Sequence, residues 1–202
     1  MTGQILLAID TAAPRLQLAL LLADGQVDTL VEDLAKGHAE ILFDRIATLL
    51  TRHSLAYADL SRVAVTTGPG SFTGLRIGLA AARGFGLALG IPVIGVPSLI
   101  GVALAAEGPA DVLIDARRDE AYLQTFAGPG IPLEMARILP MDVARSQLRP
   151  RVTLMETPFV DIARVARFAA TVDPADYPPY AAYVRDADAK PQLKGRVALV
   201  EG

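Results

Sequence analysis

Thr67-Gly68-Pro69-Gly70-Ser71-Phe72-Thr73-Gly74-Leu75-Arg76-Ile77-Gly78 joins an apolar run, Val63 to Thr67, to a long helical pattern from about Thr73 to Leu89. A glycine-rich loop between strand and helix can cradle phosphate with free backbone N–H groups at the helix N-terminus. This one lacks the Lys-Ser/Thr pair that completes a P-loop, and its glycines do not fall as in a dinucleotide fingerprint. Ser71 and Thr73 read as helix-cap residues. The helix itself is more informative. Gly74, Gly78, Ala82, Gly86 and Gly90 recur every fourth residue and form one small-residue stripe. Each glycine inside a helix costs roughly 1 kcal/mol relative to alanine, so the stripe implies close approach by another backbone. A segment of the same chain and a partner both satisfy that requirement.

Working outward, Ile5 to Ile9 is a buried-strand pattern ending in Asp10-Thr11, and Leu16 to Leu22 is a second strand. Asp24-Gly25 marks a hairpin turn, and Gln26 to Leu34 returns as a third strand. From Ala39 to His53, Leu42, Ile46, Leu49 and Leu50 fall at helical spacing. About a hundred residues later Asp111-Val112-Leu113-Ile114-Asp115 repeats the pattern of an apolar strand ending in Asp. Tyr122 to Phe126 and the turn Gly128-Pro129-Gly130 follow it. This echo suggests a duplication, with a first lobe over 1–100 and a smaller one over 101–185. Asp161 to Ala170 reads as a further helix, and 186–202 as a tail. The uncharged interval between Arg83 and Glu107 has the length of a membrane span. Gly90, Pro92, Gly95, Pro97 and Ser98 instead divide it into a helix end, a short strand from Ile91 to Val96 and a helix capped by Ser98.

Composition narrows the function classes. Of 202 residues 52% are apolar and 20% charged, which gives a core and excludes a disordered chain; the net charge of −3 supplies no basic surface for gripping nucleic acid unaided. There is no cysteine, hence no disulfide, no thiol chemistry and no thiolate zinc site. Met1-Thr2-Gly3-Gln4 lacks the basic start of a signal peptide. A cytoplasmic location without membrane attachment is expected.

Ala8-Ile9-Asp10-Thr11-Ala12, Gly37-His38-Ala39-Glu40 and the block from Thr67 to Gly78, in that order and spacing, resemble the TsaB family. Ile91 to Val96 and Ile114 to Tyr122 continue the likeness. It covers about residues 4 to 126, and it resumes at Pro179-Tyr180-Ala181-Ala182-Tyr183-Val184-Arg185. The resemblance implies an α/β chain of the actin-like, ribonuclease-H-like fold, two lobes with mixed sheets flanked by helices, as in sugar kinases and heat-shock chaperones. It also implies a non-catalytic scaffold that pairs with TsaD, the enzyme that places threonylcarbamoyl on the adenosine beside the anticodon of tRNA. The small ATPase TsaE joins that complex, tRNA is reached indirectly, and the chain alone is expected to form a homodimer. By position, the family's pairing helices map to about Ala39–His53 and Thr73–Leu89. His38, Glu40, Leu42, Arg45, Gly74, Arg76, Gly78 and Ala82 are then the candidate partner contacts. If the stripe is reserved for a neighbour, Gly78→Leu should leave the monomer folded and abolish pairing.

Catalysis by this chain itself finds little support in its residues. The only two histidines, His38 and His53, stand fifteen positions apart; Leu42 occupies the place where a His-x-x-x-His pair would need its second ring. A nucleotide-dependent phosphotransferase or ATPase of the same fold, the alternative reading, needs a glycine-bearing phosphate loop after the first strand. Asp10-Thr11-Ala12-Ala13-Pro14 has the acid but not the glycine, and Pro14 has no N–H to donate. Asp10, Thr11, Gly68, Gly70 and Asp115 remain as candidate nucleotide contacts. No intrinsic cofactor is expected, with ATP or ADP and Mg confined to the heterodimer junction. Arg76, a cation in the first turn of a helix, is placed against the dipole and calls for a specific acceptor.

Overall fold

Two hairpins of the same design set the architecture of the computed structural model, which describes residues 3–34 and 36–182. In the first, Leu6–Ala13 (β1) and Arg15–Leu21 (β2) pair antiparallel, with Leu6 opposite Leu21 and Asp10 opposite Gln17. Both strands are covered on both faces, so their sequences run apolar without alternation. Val27–Asp33 (β3) returns along β2 as an edge strand and alternates more and less exposed positions. His38–Thr51 (α1) and a 3-10 turn at Tyr57–Asp59 lead into Arg62–Gly68 (β4), which lies parallel to β1. Phe72–Leu89 (α2) then crosses to Val93–Pro97 (β5), parallel to β4. The sheet order is β3-β2-β1-β4-β5.

After Ser98–Ala103 (α3), Ala110–Arg117 (β6) and Glu120–Gly128 (β7) form the second hairpin. Ile131–Pro132 (β8) and Arg137–Pro140 (β9) both pair antiparallel with β7. Met141–Ser146 (α4) then leads to Thr153–Met155 (β10), parallel to β6. Strand, returning strand, third antiparallel strand, helix, and a strand parallel to the first: β6-β7-β9-α4-β10 repeats β1-β2-β3-α1-β4. The duplication therefore continues through the region where the sequence gives no clear alignment.

Ile162–Thr171 (α5), capped by the Asp161 carboxylate accepting from Arg164 N–H at 3.0 Å, returns to the first sheet. Its Val165, Ala166 and Ala169 share a core with Leu6, Ala8 and Ala19 of that sheet and with Val112 and Phe126 of the second. α3, which straddles residue 100, belongs to the same core, so the two lobes meet through shared helices rather than at a cut there. Ser98 does not cap α3 as expected. Pro97 is the N-cap, and Ser98 is the first helical residue, its buried Oγ without a hydrogen-bond partner among the described residues. Among the described residues no helix is long and apolar enough to cross a membrane. Tyr183, Val184, Arg185 and the expected tail at 186–202 lie outside the described residues.

Candidate partner interface

The glycine stripe is filled by the chain's own sheet. A Cβ added at Gly78 would stand 2.6 Å from Thr11 Oγ1 and 3.3 Å from Val65 Cγ2, and one at Gly74 would collide with the Thr11 carbonyl. Ala82 is fully buried, and Gly86 packs on Val93. Thr11 Oγ1 donates to the Gly74 carbonyl at 2.7 Å, which holds the first turn of α2 against β1. The glycines are needed because a helix backbone here lies directly on strand backbone. Gly74, Gly78 and Ala82 are thus not partner contacts. Ser71 does cap the helix, accepting from Gly74 N–H at 3.2 Å, and Gly90 ends it at φ 67.

Turning α2 inward on that stripe sets its other side toward solvent. Arg76, Ala80, Arg83, Gly84, Leu87 and Ala88 are exposed. A Cβ at Gly84 would meet nothing within 4 Å, so nothing among the described residues requires glycine there. Beside this face, Ala39, Leu42, Phe43, Ile77, Ala80, Ala81, Gly84, Phe85 and Ala88 line an apolar groove of about 560 Å³ between α1 and α2. One end is walled by aromatics: Tyr57 stacks on Phe85 at 5.5 Å, and Phe43 tilts against Phe85 at 5.9 Å. Tyr57 Oη donates to the Phe43 carbonyl at 3.3 Å, and burial raises its phenol above the ordinary range. Phe43 nevertheless keeps 53% of its surface in water.

The remaining predicted contacts separate. Leu42 is buried in the core, and its edge forms part of the groove floor. His38 is buried at the start of α1, with Nε2 lacking a hydrogen-bond partner among the described residues. Arg45 grips Glu32 of β3 through Nε and Nη2 at 2.7 and 3.3 Å, which holds the Glu32 carboxyl below its usual value. Glu40 and Arg76 are exposed. The Arg76 guanidinium lies 3.7 Å over the Phe72 ring rather than on a carboxylate of the described residues, a placement that cation–π attraction explains. Phe43, Tyr57, Ile77, Ala80, Gly84, Phe85 and Ala88 were missed. For Ile77, Ala80, Gly84, Phe85 and Ala88 the signal was a second set of small and apolar positions on α2, offset from the stripe; Phe43 of α1 and Tyr57 of the 3-10 turn carried no such spacing.

The candidate nucleotide residues also divide. Asp10 is 1% exposed. Its carboxylate accepts from Thr66 Oγ1 at 2.6 Å, Gln17 Nε2 at 2.9 Å and Ala12 N–H at 3.0 Å. Burial raises its pKa, and those hydrogen bonds only partly oppose the rise. Asp10 and Thr11 are therefore sealed under α2, and Gly68, at φ 103, serves the turn that leaves β4. Gly70 and Asp115 instead line a separate cleft of about 450 Å³, with Ser71, Thr73 and Arg117. Asp115 accepts from Arg117 N–H at 2.6 Å. Among the described residues no group of His, Asp and Glu is arranged to hold a metal ion.

A pair of hairpin lobes of the actin-like, ribonuclease-H-like fold, carrying an open apolar groove between two helices, is the class of protein defined here. The structure matches YeaZ from Pseudomonas aeruginosa with a TM-score of 0.73 over 89% of this chain and 99% of that one, at 24% identity. The family model for "TsaD: tRNA N6-adenosine threonylcarbamoyltransferase" matches residues 31–129. An uncharacterised protein of Mycobacterium tuberculosis is 35% identical over 92% of this chain and 93% of its own length. The tRNA threonylcarbamoyladenosine biosynthesis protein TsaB of Escherichia coli is 38% identical over 58% of this chain and 52% of its own length. This chain thus spans about half of that relative, and 59% of a Mycobacterium leprae relative. The chain belongs to the same family as that Mycobacterium tuberculosis protein, and over 58% of its length it is similar to TsaB.

Proposed function

We propose that the chain is the scaffold and dimerisation subunit of the complex that installs threonylcarbamoyl on the adenosine beside the tRNA anticodon, and that it docks TsaD through the α1–α2 groove. The observation that carries this reading is the groove with the unexplained glycine on its rim: an apolar trough beside a solvent-facing Gly84 suits close approach by a partner helix. The matches to proteins named for this modification support the same reading. The chain performs no catalysis alone; the sealed Asp10, and Leu42 standing where a His-x-x-x-His pair would need its second ring, favour that view. Without TsaD, two copies cover the groove as a homodimer. TsaE joins the assembled pair in the cytoplasm, and tRNA is held mainly by the partner. Any ATP or ADP with Mg sits at the heterodimer junction; of the candidate nucleotide contacts, Gly70 and Asp115 line an open cleft of this chain.

Reconstitution tests the proposal. TsaD, TsaE and the threonylcarbamoyl-adenylate-forming enzyme should modify tRNA only when this chain is added, and a mixture with TsaD should elute as one species. Full modification in its absence would overturn the scaffold role.

A further inference from the structure

After α5 the chain does not leave the molecule directly. Residues 177–182 wrap the outer edge of the first sheet, passing from one face to the other. Tyr177 packs in the core on the α5 side, where it meets Phe168 edge-on at 5.2 Å. Ala181 packs in the core on the α1–α2 side. Between them the Tyr177 carbonyl accepts from Gly95 N–H at 2.8 Å, using a donor on the free edge of β5. At the far end, Ala182 N–H donates to the Thr67 carbonyl at 2.8 Å. A glycine in the middle of β5 is costly, and here its reason is visible: a Cβ at Gly95 would stand 2.9 Å from Pro179 Cα and would overlap the Pro178 carbonyl. The strand is shaped for this segment.

Among the described residues, one side chain of α2 also holds it by hydrogen bonds. Arg83 donates from Nε at 2.9 Å and from Nη2 to the Pro179 carbonyl, and its guanidinium lies 5.4 Å over the exposed Tyr180 ring. Arg83 shares the outward face of α2 with Ala80, Gly84 and Leu87, so the groove lies on one flank of that face and residues 177–182 on the other. An arginine–carbonyl bond open to water is weak, and covering it strengthens it by lowering the local dielectric.

We propose that residues 177–182 are a strap that closes over the β5 edge when the outward face of α2 is covered, with Arg83 linking the two. The inference rests on the docking reading above, and it adds a consequence of docking for a segment outside the groove. A partner seated in the groove and across the outward face of α2 shields Arg83, tightens its hold on Pro179 and fixes the strap over Gly95 and Thr67. The free chain opens the strap more often, exposing strand-edge groups that a docked chain protects.

Amide hydrogen exchange at Gly95 and Ala182 reads strap opening directly, and size exclusion of the same samples reads docking separately. With the full chain and purified TsaD, both amides should slow by at least about tenfold in the complex. Arg83→Gln should still form the complex but lose most of that slowing, and Arg83→Lys should keep part of it. If wild-type chain forms the complex with no change at either amide, the coupling is wrong and docking stands. If Arg83→Gln speeds exchange equally in free and docked chain, so that the ratio is preserved, Arg83 is only a structural pin and the proposal falls. If no complex forms with wild type, the docking reading fails and takes this one with it.

Discussion

The two faces of α2 use the same residue types for opposite ends. On the inner face Gly74, Gly78, Ala82 and Gly86 let the helix lie on β1, β4 and the start of β5, and a side-chain atom added at Gly78 meets protein at once. On the outer face Ala80, Gly84 and Ala88 border open space. A small residue therefore carries no fixed meaning. Four-residue periodicity reports that something approaches closely, and only the position of the sheet says whether that neighbour belongs to the same chain. In a helix packed on a sheet, the glycines left over after the sheet has been accounted for are the ones that mark an outside contact.

Substitution separates the faces sharply. Gly78→Leu should now be the most damaging change, because four heavy atoms would be forced between Thr11, Val65 and Ile9. Overpacking of a rigid core commonly costs about 1–3 kcal/mol, and contact with strand backbone and a buried hydroxyl places this case at the top of that range or above. Urea unfolding should show a large loss of midpoint or no folded chain. This replaces the sequence-based expectation that Gly78→Leu spares the monomer, and a wild-type midpoint would restore it. Gly84→Leu should do the reverse. It removes a mid-helix glycine from a solvent-facing position, so the isolated chain should gain up to about 1 kcal/mol. The new side chain fills the surface on which a partner backbone would rest, and TsaD binding should weaken by about tenfold or more. Calorimetry of the free chain and titration with TsaD check both halves; stabilisation with unchanged affinity would clear Gly84 of any interface role.

The strands, the helices and the duplication could be read in the sequence because burial on both faces leaves long apolar runs, and because Asp10 and Asp115 each close such a run. The region between Gly128 and Asp161 could not. β8, β9 and β10 are only two to four residues long, too short to show a period, and their place is set by pairing with β6 and β7. The groove was half legible. α1 and α2 were identified as the surface, and Leu42 does line the groove, yet Gly74, Gly78 and Ala82 face the sheet, His38 is buried, and Arg45 is engaged by Glu32. Sequence spacing gives the stripe but not its rotation about the helix axis, which is set by the packing of Gly74, Gly78 and Gly86 on β1, β4 and β5, with Thr11 Oγ1 bonded to the Gly74 carbonyl.

The sealed side of this comparison also carries a pH signature, smaller than either substitution effect. Burial raises the Asp10 pKa above its ordinary value of 3.8, against opposing hydrogen bonds from Thr66, Ala12 and Gln17. In the pH interval between the ordinary value and the raised one, the folded chain retains a proton that the unfolded chain has released. Stability contributed by this group must then fall as pH rises through that interval, and level off above the raised value. Asp10→Asn cannot titrate and removes the slope. The urea midpoint of wild type minus that of Asp10→Asn should therefore be largest near the bottom of the interval and shrink as pH increases, with other titrating groups cancelling in the difference. A constant difference across the series would mean that Asp10 titrates as if exposed, and that the end of β1 under α2 is open to water after all.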